Sequence, residues 1–288
     1  MTPESAHPCR WSGRVILGAE TVTRDVHPPS NRLSDAPNAP ADESWDAPKD
    51  SKSSLQRMVR AEELSVVFQP IVRLDHPAIH AYEALVRCRV VEYRNPLVLF
   101  QHAVSTGCAG RLGRMVREIA VPLCPGKPLY LNVHPQELRE SWLIRPDDPI
   151  FAHDHELCIE ITESVPMTHF DLCKSVLREI RDRAGVGLAI DDLGAGYSNL
   201  KRIVDLEPKA VKLDRELIAS LHLSRRQQQL ARRLVKLCGE LGAHVVAEGV
   251  ETHEEHAALI DCGVLLAQGY LYARPAFPFP EVSWPARR

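Results

Sequence analysis

Short apolar segments recur along the chain from about residue 64 onward and alternate with segments of helical periodicity. Continuous apolar runs without strict alternation are typical of strands that are covered on both faces. We therefore predict strands at residues 66–72, 78–87, 129–133, 157–162, 187–192, 210–214, 244–250 and 265–270. Strands that alternate with helices imply a parallel sheet, and their number favours a closed barrel over an open sheet.

Three of the intervening segments have clear helix signals. The helix predicted after residue 170 has apolar side chains at a 3.6-residue period and ends at Gly185. A second apolar stripe, at residues 230–241, ends at Gly242. A third helix begins at the capping box formed by Thr252 and Glu255. Among the aromatic residues, Phe68 and Tyr270 are predicted to lie in the core.

Residues 1–54 differ from the rest of the chain. Residues 27–54 are rich in Pro, Asp, Ser and Asn and nearly free of aliphatic residues, so they cannot bury enough apolar surface to offset the loss of chain entropy. The earlier apolar patch at residues 11–22 could instead form one strand or dock on the folded part. We predict a disordered tail or linker for residues 1–54 and one folded domain for residues 55–288. A domain of this size suits an α/β barrel, which commonly has roughly 250 residues.

Composition excludes several classes of function. The net charge of −3 gives no whole-chain electrostatic basis for binding a nucleic acid polymer. No segment is long and apolar enough for membrane insertion, and the first residues lack the apolar core of a signal peptide, so we expect a cytoplasmic location. The eight cysteines include no CxxC pair and are predicted to be reduced, buried thiols.

Polar residues stand at the ends of most predicted strands, where apolar packing gives no reason for them. Buried charges are costly unless they are paired or bound to metal, and the active sites of such barrels lie at the carboxyl ends of the strands. The alternative is a set of salt bridges at the barrel mouth. The residues are Glu83, Asn132, Glu160, Asp191, Asp192, Lys212, Asp214, Glu248 and Gln268.

These residue types fit hard cations. Carboxylate and amide oxygens suit Mg²⁺ or Mn²⁺, and the absence of His and Cys from the strand ends argues against zinc. Adjacent Asp191 and Asp192 cannot both point to one side of a regular strand, but a turn at the strand end lets them serve two neighbouring metals. Two ions about 4 Å apart are suited to the attack of water on a phosphodiester, and Lys212 would orient that water.

Eight motifs occur in order between Leu64 and Pro275: FQPIV, YEALVR, LNVHP, IEITES, AIDDLGAGYSNL, VKLD, VVAEGVET and QGY. Together they resemble the EAL-domain family of bacterial cyclic di-GMP phosphodiesterases. The resemblance implies an α/β fold, a modified TIM (β/α)8 barrel with an antiparallel first strand. It also implies hydrolysis of cyclic di-GMP to linear pGpG with two Mg²⁺ or Mn²⁺ ions, in a homodimer.

The resemblance also implies roles for individual residues. The first metal would be held by Glu83, Asn132, Glu160 and Asp191, and the second by Asp191, Asp192 and Glu248. Lys212 matches the lysine that holds the catalytic water. Glu163 matches the glutamate that fixes the loop at residues 192–199, in which Leu193 and Ala195 stand where the family usually has Phe and Thr. Contacts to the dinucleotide are implied for Gln69, Leu85, Arg87, Asp214, Glu251 and Gln268.

Two other functions are compatible with these residues. A non-catalytic cyclic di-GMP receptor or interaction module is one, since the loop at residues 192–199 is altered. An unrelated Mg²⁺ barrel enzyme, such as an enolase-type lyase, is the other. Residues 1–54 contain no recognisable sensor, so regulation through a protein partner, through expression level or through dimerisation is a further expectation.

Overall fold

The computed structural model describes residues 59–140, 142–162, 167, 169–194 and 200–285. Within these ranges the chain forms a closed barrel of eight strands. The predicted tail at residues 1–54 lies outside the described residues. The strands are β1 Leu64–Arg73, β2 Ile79–Cys88, β3 Leu129–Asn132, β4 Leu157–Thr162, β5 Gly187–Leu193, β6 Ala210–Leu213, β7 His244–Ala247 and β8 Leu266–Ala267.

Helices connect the strands on the outside of the barrel. The α-helices are α1 Pro96–Ser105, α2 Ala109–Ala120, α3 Phe170–Ala184, α4 Lys201–Leu206, α5 Arg215–Ile218, α6 Arg225–Glu240 and α7 His253–Asp261. The predicted end of α3 is confirmed, because Gly185 has the left-handed conformation with φ 64°. The predicted capping box of α7 is also confirmed, with Thr252 and Glu255 bonding each other's backbone N–H.

Neighbouring strands in the barrel are consecutive in sequence. β1 is antiparallel to both β2 and β8, and every other pair from β2 to β8 is parallel. This arrangement confirms the modified TIM barrel with an antiparallel first strand. The last two strands are shorter than predicted, since the chain leaves the sheet after Ala247 and Ala267.

A layer of apolar side chains fills the amino-terminal part of the barrel interior. Each strand contributes one member, and the members pack together as one buried cluster. Most of these side chains are small and a few are large, a mixture that fills the closed interior of an eight-stranded barrel. They are Ile71, Ala81, Tyr130, Cys158, Ala189, Ala210, Val246 and Leu266.

Predicted burial is confirmed for Phe68 and wrong for Tyr270. Phe68 is fully buried, whereas Tyr270 is 50% exposed. Tyr270 lies in a turn beyond β8, not in the strand that was predicted to extend to residue 270. Seven cysteines, all except Cys9, are described, and each is buried as predicted. In the described part of the chain, no helix combines the length and the apolar character that a membrane crossing requires.

A buried ionic network joins α2 to the segment that follows β3. Arg117, which is 1% exposed, donates from Nη1 to Glu137 Oε2 at 2.7 Å and from Nη2 to Asp148 Oδ2 at 2.9 Å. Gly113 lies one turn earlier on α2, and a Cβ atom there would overlap the Glu137 carboxylate. The absence of a side chain at residue 113 therefore leaves room for the network.

We expect Gly113→Ala to lower the free energy of unfolding by about 1–3 kcal/mol, because the buried Glu137 carboxylate has to move away from Arg117. Urea denaturation measures this change. Gly239→Ala is the matched control, since Gly239 is also helical and a Cβ there meets nothing within 4 Å. The control should gain about 0.5–1 kcal/mol from helix propensity. Equal stability of the two variants would contradict the role of the space at Gly113.

Candidate functional site

The polar residues predicted at the strand ends form a second layer in the barrel, directly above the apolar layer. On each parallel strand, the polar residue comes two positions after the residue that the strand contributes to the apolar layer. On antiparallel β1, the polar residue comes two positions before the residue of the apolar layer. Side chains two positions apart face the same side of a strand, so barrel closure brings this layer together. Its members are Gln69, Glu83, Asn132, Glu160, Asp191, Lys212, Glu248 and Gln268.

Lys212 lies at the centre of this layer and is 1% exposed. Its Nζ atom lies 2.7 Å from Glu248 Oε1, 2.9 Å from Glu160 Oε1, and 3.3 Å from both Glu83 Oε2 and Asp191 Oδ1. Burial lowers the pKa of Lys212, but the four carboxylates outweigh it and hold that pKa well above its usual value. The lysine is therefore a fixed positive charge.

Side-chain amides hold the Glu83 carboxylate from the opposite side. Asn132 Nδ2 donates to Glu83 Oε1 at 2.7 Å, and Gln268 Nε2 donates to Glu83 Oε2 at 2.7 Å. Gln268 Nε2 also donates to Gln69 Oε1 at 2.9 Å, and Gln69 Nε2 donates to the carbonyl oxygen of Ala273 at 3.1 Å. Burial opposes ionisation of Glu83, but Lys212 and these donors lower its pKa below the usual value.

Negative charge is in excess at this site. Within the described residues, both carboxylate oxygens of Glu160 and Oδ1 of Asp191 accept no hydrogen bond of normal geometry, although Lys212 lies nearby. Burial raises the pKa of Glu160, and also that of Glu248, well above the usual value. A single lysine does not neutralise four carboxylates, of which two are buried and two half-buried, so the donor set fits additional hard cations such as Mg²⁺ or Mn²⁺.

Asp191 and Asp192 reach the same region because the strand is irregular between them. Asp192 has φ 62°, and the register of β5 with β6 shifts at this point. A bulge with a left-handed residue redirects the side chain that would otherwise face away. Asp191, Asp192 and Glu248 each place one carboxylate oxygen within 4.8 Å of the others, as ligands of one cation would be.

Two further predicted site residues lie on β2. Leu85 and Arg87 follow Glu83 at two and four positions, so they share its face of the strand, and both are partly buried. Arg87 Nη1 donates to the carbonyl oxygen of Val86 at 2.9 Å. The guanidinium thus lies at the carboxyl edge of the barrel, and no carboxylate among the described residues accepts a hydrogen bond from it.

The other two rim residues lie in the loops after β6 and β7. Asp214 caps α5, with its Oδ1 accepting from Glu216 N at 2.7 Å. Glu251 Oε2 accepts from Arg215 Nη2 at 2.8 Å. No contact between these carboxylates and the central cluster is found among the described residues. Glu163 and residues 195–199, which were assigned to the adjoining loop, lie outside the described residues.

Two contributors to the site were not predicted. Thr162 Oγ1 donates to Asp192 Oδ2 at 2.8 Å. Its position two residues after Glu160, on the same face of β4, was a signal for it. Arg215 donates to the carbonyl oxygen of Gly249, 34 residues away, and to Glu251, 36 residues away. Sequence spacing contains no signal for contacts between residues so far apart.

Comparison with known proteins relates this site to one family. The sequence model of the EAL domain matches residues 52–275. The probable cyclic di-GMP phosphodiesterase PdeI of Escherichia coli is 31% identical over 256 residues, which cover 80% of this chain and 31% of PdeI. The cyclic di-GMP phosphodiesterase RocR of Pseudomonas aeruginosa is 32% identical over 237 residues, covering 74% of this chain and 57% of RocR. The chain thus spans less than two thirds of the length of either relative.

Solved structures give the same relationship. BlrP1 of Klebsiella pneumoniae, in a complex with manganese and cyclic di-GMP, has a TM-score of 0.69 and 32% sequence identity, with 80% of this chain and 60% of BlrP1 covered. An EAL domain protein of Listeria monocytogenes has a TM-score of 0.67 and 28% identity, with 78% of this chain and 93% of that chain covered. The family match over most of the described barrel shows that this chain belongs to the EAL domain family.

Proposed function

We propose that this protein hydrolyses cyclic di-GMP to linear pGpG in a reaction that requires two Mg²⁺ or Mn²⁺ ions. The observation that supports this proposal most is the buried cluster in which four carboxylates surround Lys212 while oxygens of Glu160 and Asp191 lack hydrogen-bond donors. The names of PdeI and RocR, and the metal complex of BlrP1 with cyclic di-GMP, give independent support.

The oxygen ligands are suited to two neighbouring cations. We assign Glu83, Asn132, Glu160 and Asp191 to the first ion, and Asp191, Asp192 and Glu248 to the second. Bound ions would lower the pKa of a bound water and neutralise charge on the phosphate oxygens. Asn132 now donates to Glu83, and rotation of its amide would present the oxygen to a cation instead.

Lys212 acts in this proposal as a hydrogen-bond donor, not as a base. Its pKa is raised well above the usual value by the surrounding carboxylates, after burial has lowered it, so the ammonium stays protonated at neutral pH. A protonated amine orients a water molecule and stabilises the charge that develops on the phosphate. Glu248 Oε1, which lies 2.7 Å from Nζ, would accept a hydrogen bond from the same water.

The rim residues supply the binding of the dinucleotide. Arg87 presents a guanidinium, which binds phosphate oxygens in bidentate geometry. Glu251 and Asp214 present carboxylates, which accept hydrogen bonds from N–H groups such as those on the edge of guanine. Leu85 adds an apolar contact between Glu83 and Arg87 on the same face of β2. We further propose that residues 55–288 form the catalytic domain.

Purified protein tests the proposed function directly. With Mg²⁺ or Mn²⁺, we expect pGpG to accumulate from cyclic di-GMP, and EDTA should stop the reaction. With Ca²⁺ in place of Mg²⁺, calorimetry should show binding of cyclic di-GMP. Binding without turnover in either Mg²⁺ or Mn²⁺ would instead support a non-catalytic receptor. If cyclic di-GMP neither binds nor raises the melting temperature, another Mg²⁺ barrel enzyme becomes the better hypothesis.

A further inference from the structure

Arg215, the first residue of α5, joins the segment that follows β6 (residues 214–220) to the loop that follows β7 (residues 248–252). Its Nη2 donates to Glu251 Oε2 at 2.8 Å, and its Nη1 donates to the carbonyl oxygen of Gly249. Gly249 has φ 64°, and a Cβ there would lie 2.9 Å from both Cβ and Cδ of Arg215. The aliphatic part of Arg215 therefore packs directly on the turn whose carbonyl and carboxylate its guanidinium binds.

A second, buried contact fixes the same two loops. Glu255 is 4% exposed, and its Oε1 accepts from Ser220 N, just beyond α5 in the segment that follows β6, at 3.1 Å. Its Oε2 accepts from Glu251 N at 2.9 Å and from Thr252 N at 3.2 Å, both after β7. Glu255 thus fixes the backbone positions of the two segments. Arg215 fixes the position of the turn at Gly249 and the orientation of the Glu251 side chain.

Residues that the proposed reaction needs lie next to these contacts. Lys212 and Asp214 lie at the carboxyl end of β6, and Glu248 and Glu251 follow the carboxyl end of β7. β6 and β7 are only four residues long, and Glu248 follows the last residue of β7. Its backbone N–H bonds the carbonyl oxygen of Leu213 at 3.0 Å. Beyond it, Val250 donates from its N–H to the carbonyl oxygen of Gln268 at 3.1 Å and accepts from Leu271 N at 3.0 Å, which supports the turn on the β8 side. On the β6 side, Arg215 supplies the side-chain contacts to the turn.

We propose that Arg215 is a positioning residue of the active site, an inference that rests on the proposed function. By holding the Gly249 carbonyl and the Glu251 carboxylate together, it orients Glu251 toward the dinucleotide and keeps Glu248 in place for the second cation. Arg215 itself contacts neither substrate nor cation. Its side chain is 42% exposed, so the fold does not depend on it as on a buried ion pair.

Arg215→Ala tests this role, with Arg73→Ala as its control. Arg73 binds Asp75 at 2.7 Å, with side-chain exposures of 33% and 41% against 42% and 44% for the Arg215–Glu251 pair. Arg73 lies opposite Leu266, at the other end of the barrel. Both variants should melt within about 2 °C of the wild type, because exposed ion pairs contribute little to stability.

Only Arg215→Ala should change function. We expect about a five- to tenfold higher KM for cyclic di-GMP with a smaller change in kcat, as lost substrate orientation predicts. Calorimetry in Ca²⁺ should show weaker binding by the same factor. The Mn²⁺ concentration needed for half-maximal thermal stabilisation should also rise. Arg215→Lys should recover only part of the loss, since an ammonium lacks the planar fork that spans both acceptors.

Several results would overturn the inference. If Arg215→Ala matches Arg73→Ala in KM, in dinucleotide affinity and in Mn²⁺ dependence, Arg215 has no positioning role. A wild-type protein that binds Mn²⁺ without turnover would contradict the proposed function, and the Mn²⁺ titration of the two variants would then decide the role of Arg215. If neither Mn²⁺ nor cyclic di-GMP changes the melting of the wild type, both proposals are wrong.

Discussion

Lys212→Met should lower the turnover of cyclic di-GMP by about a thousandfold. Methionine keeps the length and the apolar stem of the side chain but removes the ammonium that would orient the attacking water. Loss of one well-placed donor to a developing charge costs about a hundred- to a thousandfold, and here the donor also carries a formal charge. Steady-state kinetics with saturating Mg²⁺ measures the effect.

The same variant should be unstable without metal. Removing Lys212 leaves uncompensated carboxylates at the buried Glu83 and Glu160 and at the half-buried Asp191 and Glu248, and breaking a buried ionic network costs about 3–5 kcal/mol. In EDTA the variant should unfold at lower urea than the wild type, and Mg²⁺ should narrow that gap without restoring turnover. Lys236→Met, at a lysine that is 69% exposed, is the control. Equal stability of the two variants in EDTA would contradict the description of the cluster.

Glu160→Gln should stabilise the metal-free protein while it reduces activity. Burial and the neighbouring Glu83 raise the pKa of Glu160 well above its usual value, which means that folding disfavours its ionised form. A neutral amide of the same shape removes that cost, so the free energy of unfolding in EDTA should rise by about 1 kcal/mol or more. Turnover in Mg²⁺ should fall by at least about a hundredfold, because a proposed metal ligand is lost.

The effect of pH distinguishes this explanation from a general change in packing. A carboxyl group whose pKa is raised on folding favours the folded state at pH below its unfolded pKa, and this contribution is lost as pH rises through the folded pKa. The advantage of Glu160→Gln in EDTA should therefore be large at pH 8 and vanish as the pH falls to about 4. Glu240→Gln, at an exposed glutamate on α6, is the control. A constant difference across this range would contradict the electrostatic explanation.

Much of the barrel follows from local sequence patterns. Apolar runs on both faces predicted each strand, and signals such as Gly185 and the Thr252–Glu255 capping box predicted where helices end or begin. The least accurate strand limits were those of β7 and β8, which end at Ala247 and Ala267. At these points the chain turns at a glycine and bonds with a neighbouring loop. A run of apolar residues does not predict where the chain leaves the sheet in this way.

Part of the site was also predictable, because a charged residue at the end of a buried apolar run has no packing role. This is why Glu160 could be identified from LCIEIT and Lys212 from AVKLD. Asp192 shows the limit of this reasoning. Its left-handed backbone, with φ 62°, directs the carboxylate toward Asp191 and Glu248, and the bulge that produces this backbone does not follow from spacing.

The sequence by itself determined the order of strands and helices, the polar residue at each strand end, and the excess of carboxylates over lysine. Those properties depend on residue type and on the period of the chain, which are local. Only the tertiary structure decided that four of these carboxylates converge on Lys212, and that Arg215 holds the turn at Gly249 beside Glu251. These contacts join residues far apart in sequence, and barrel closure, not local propensity, sets the distances between them.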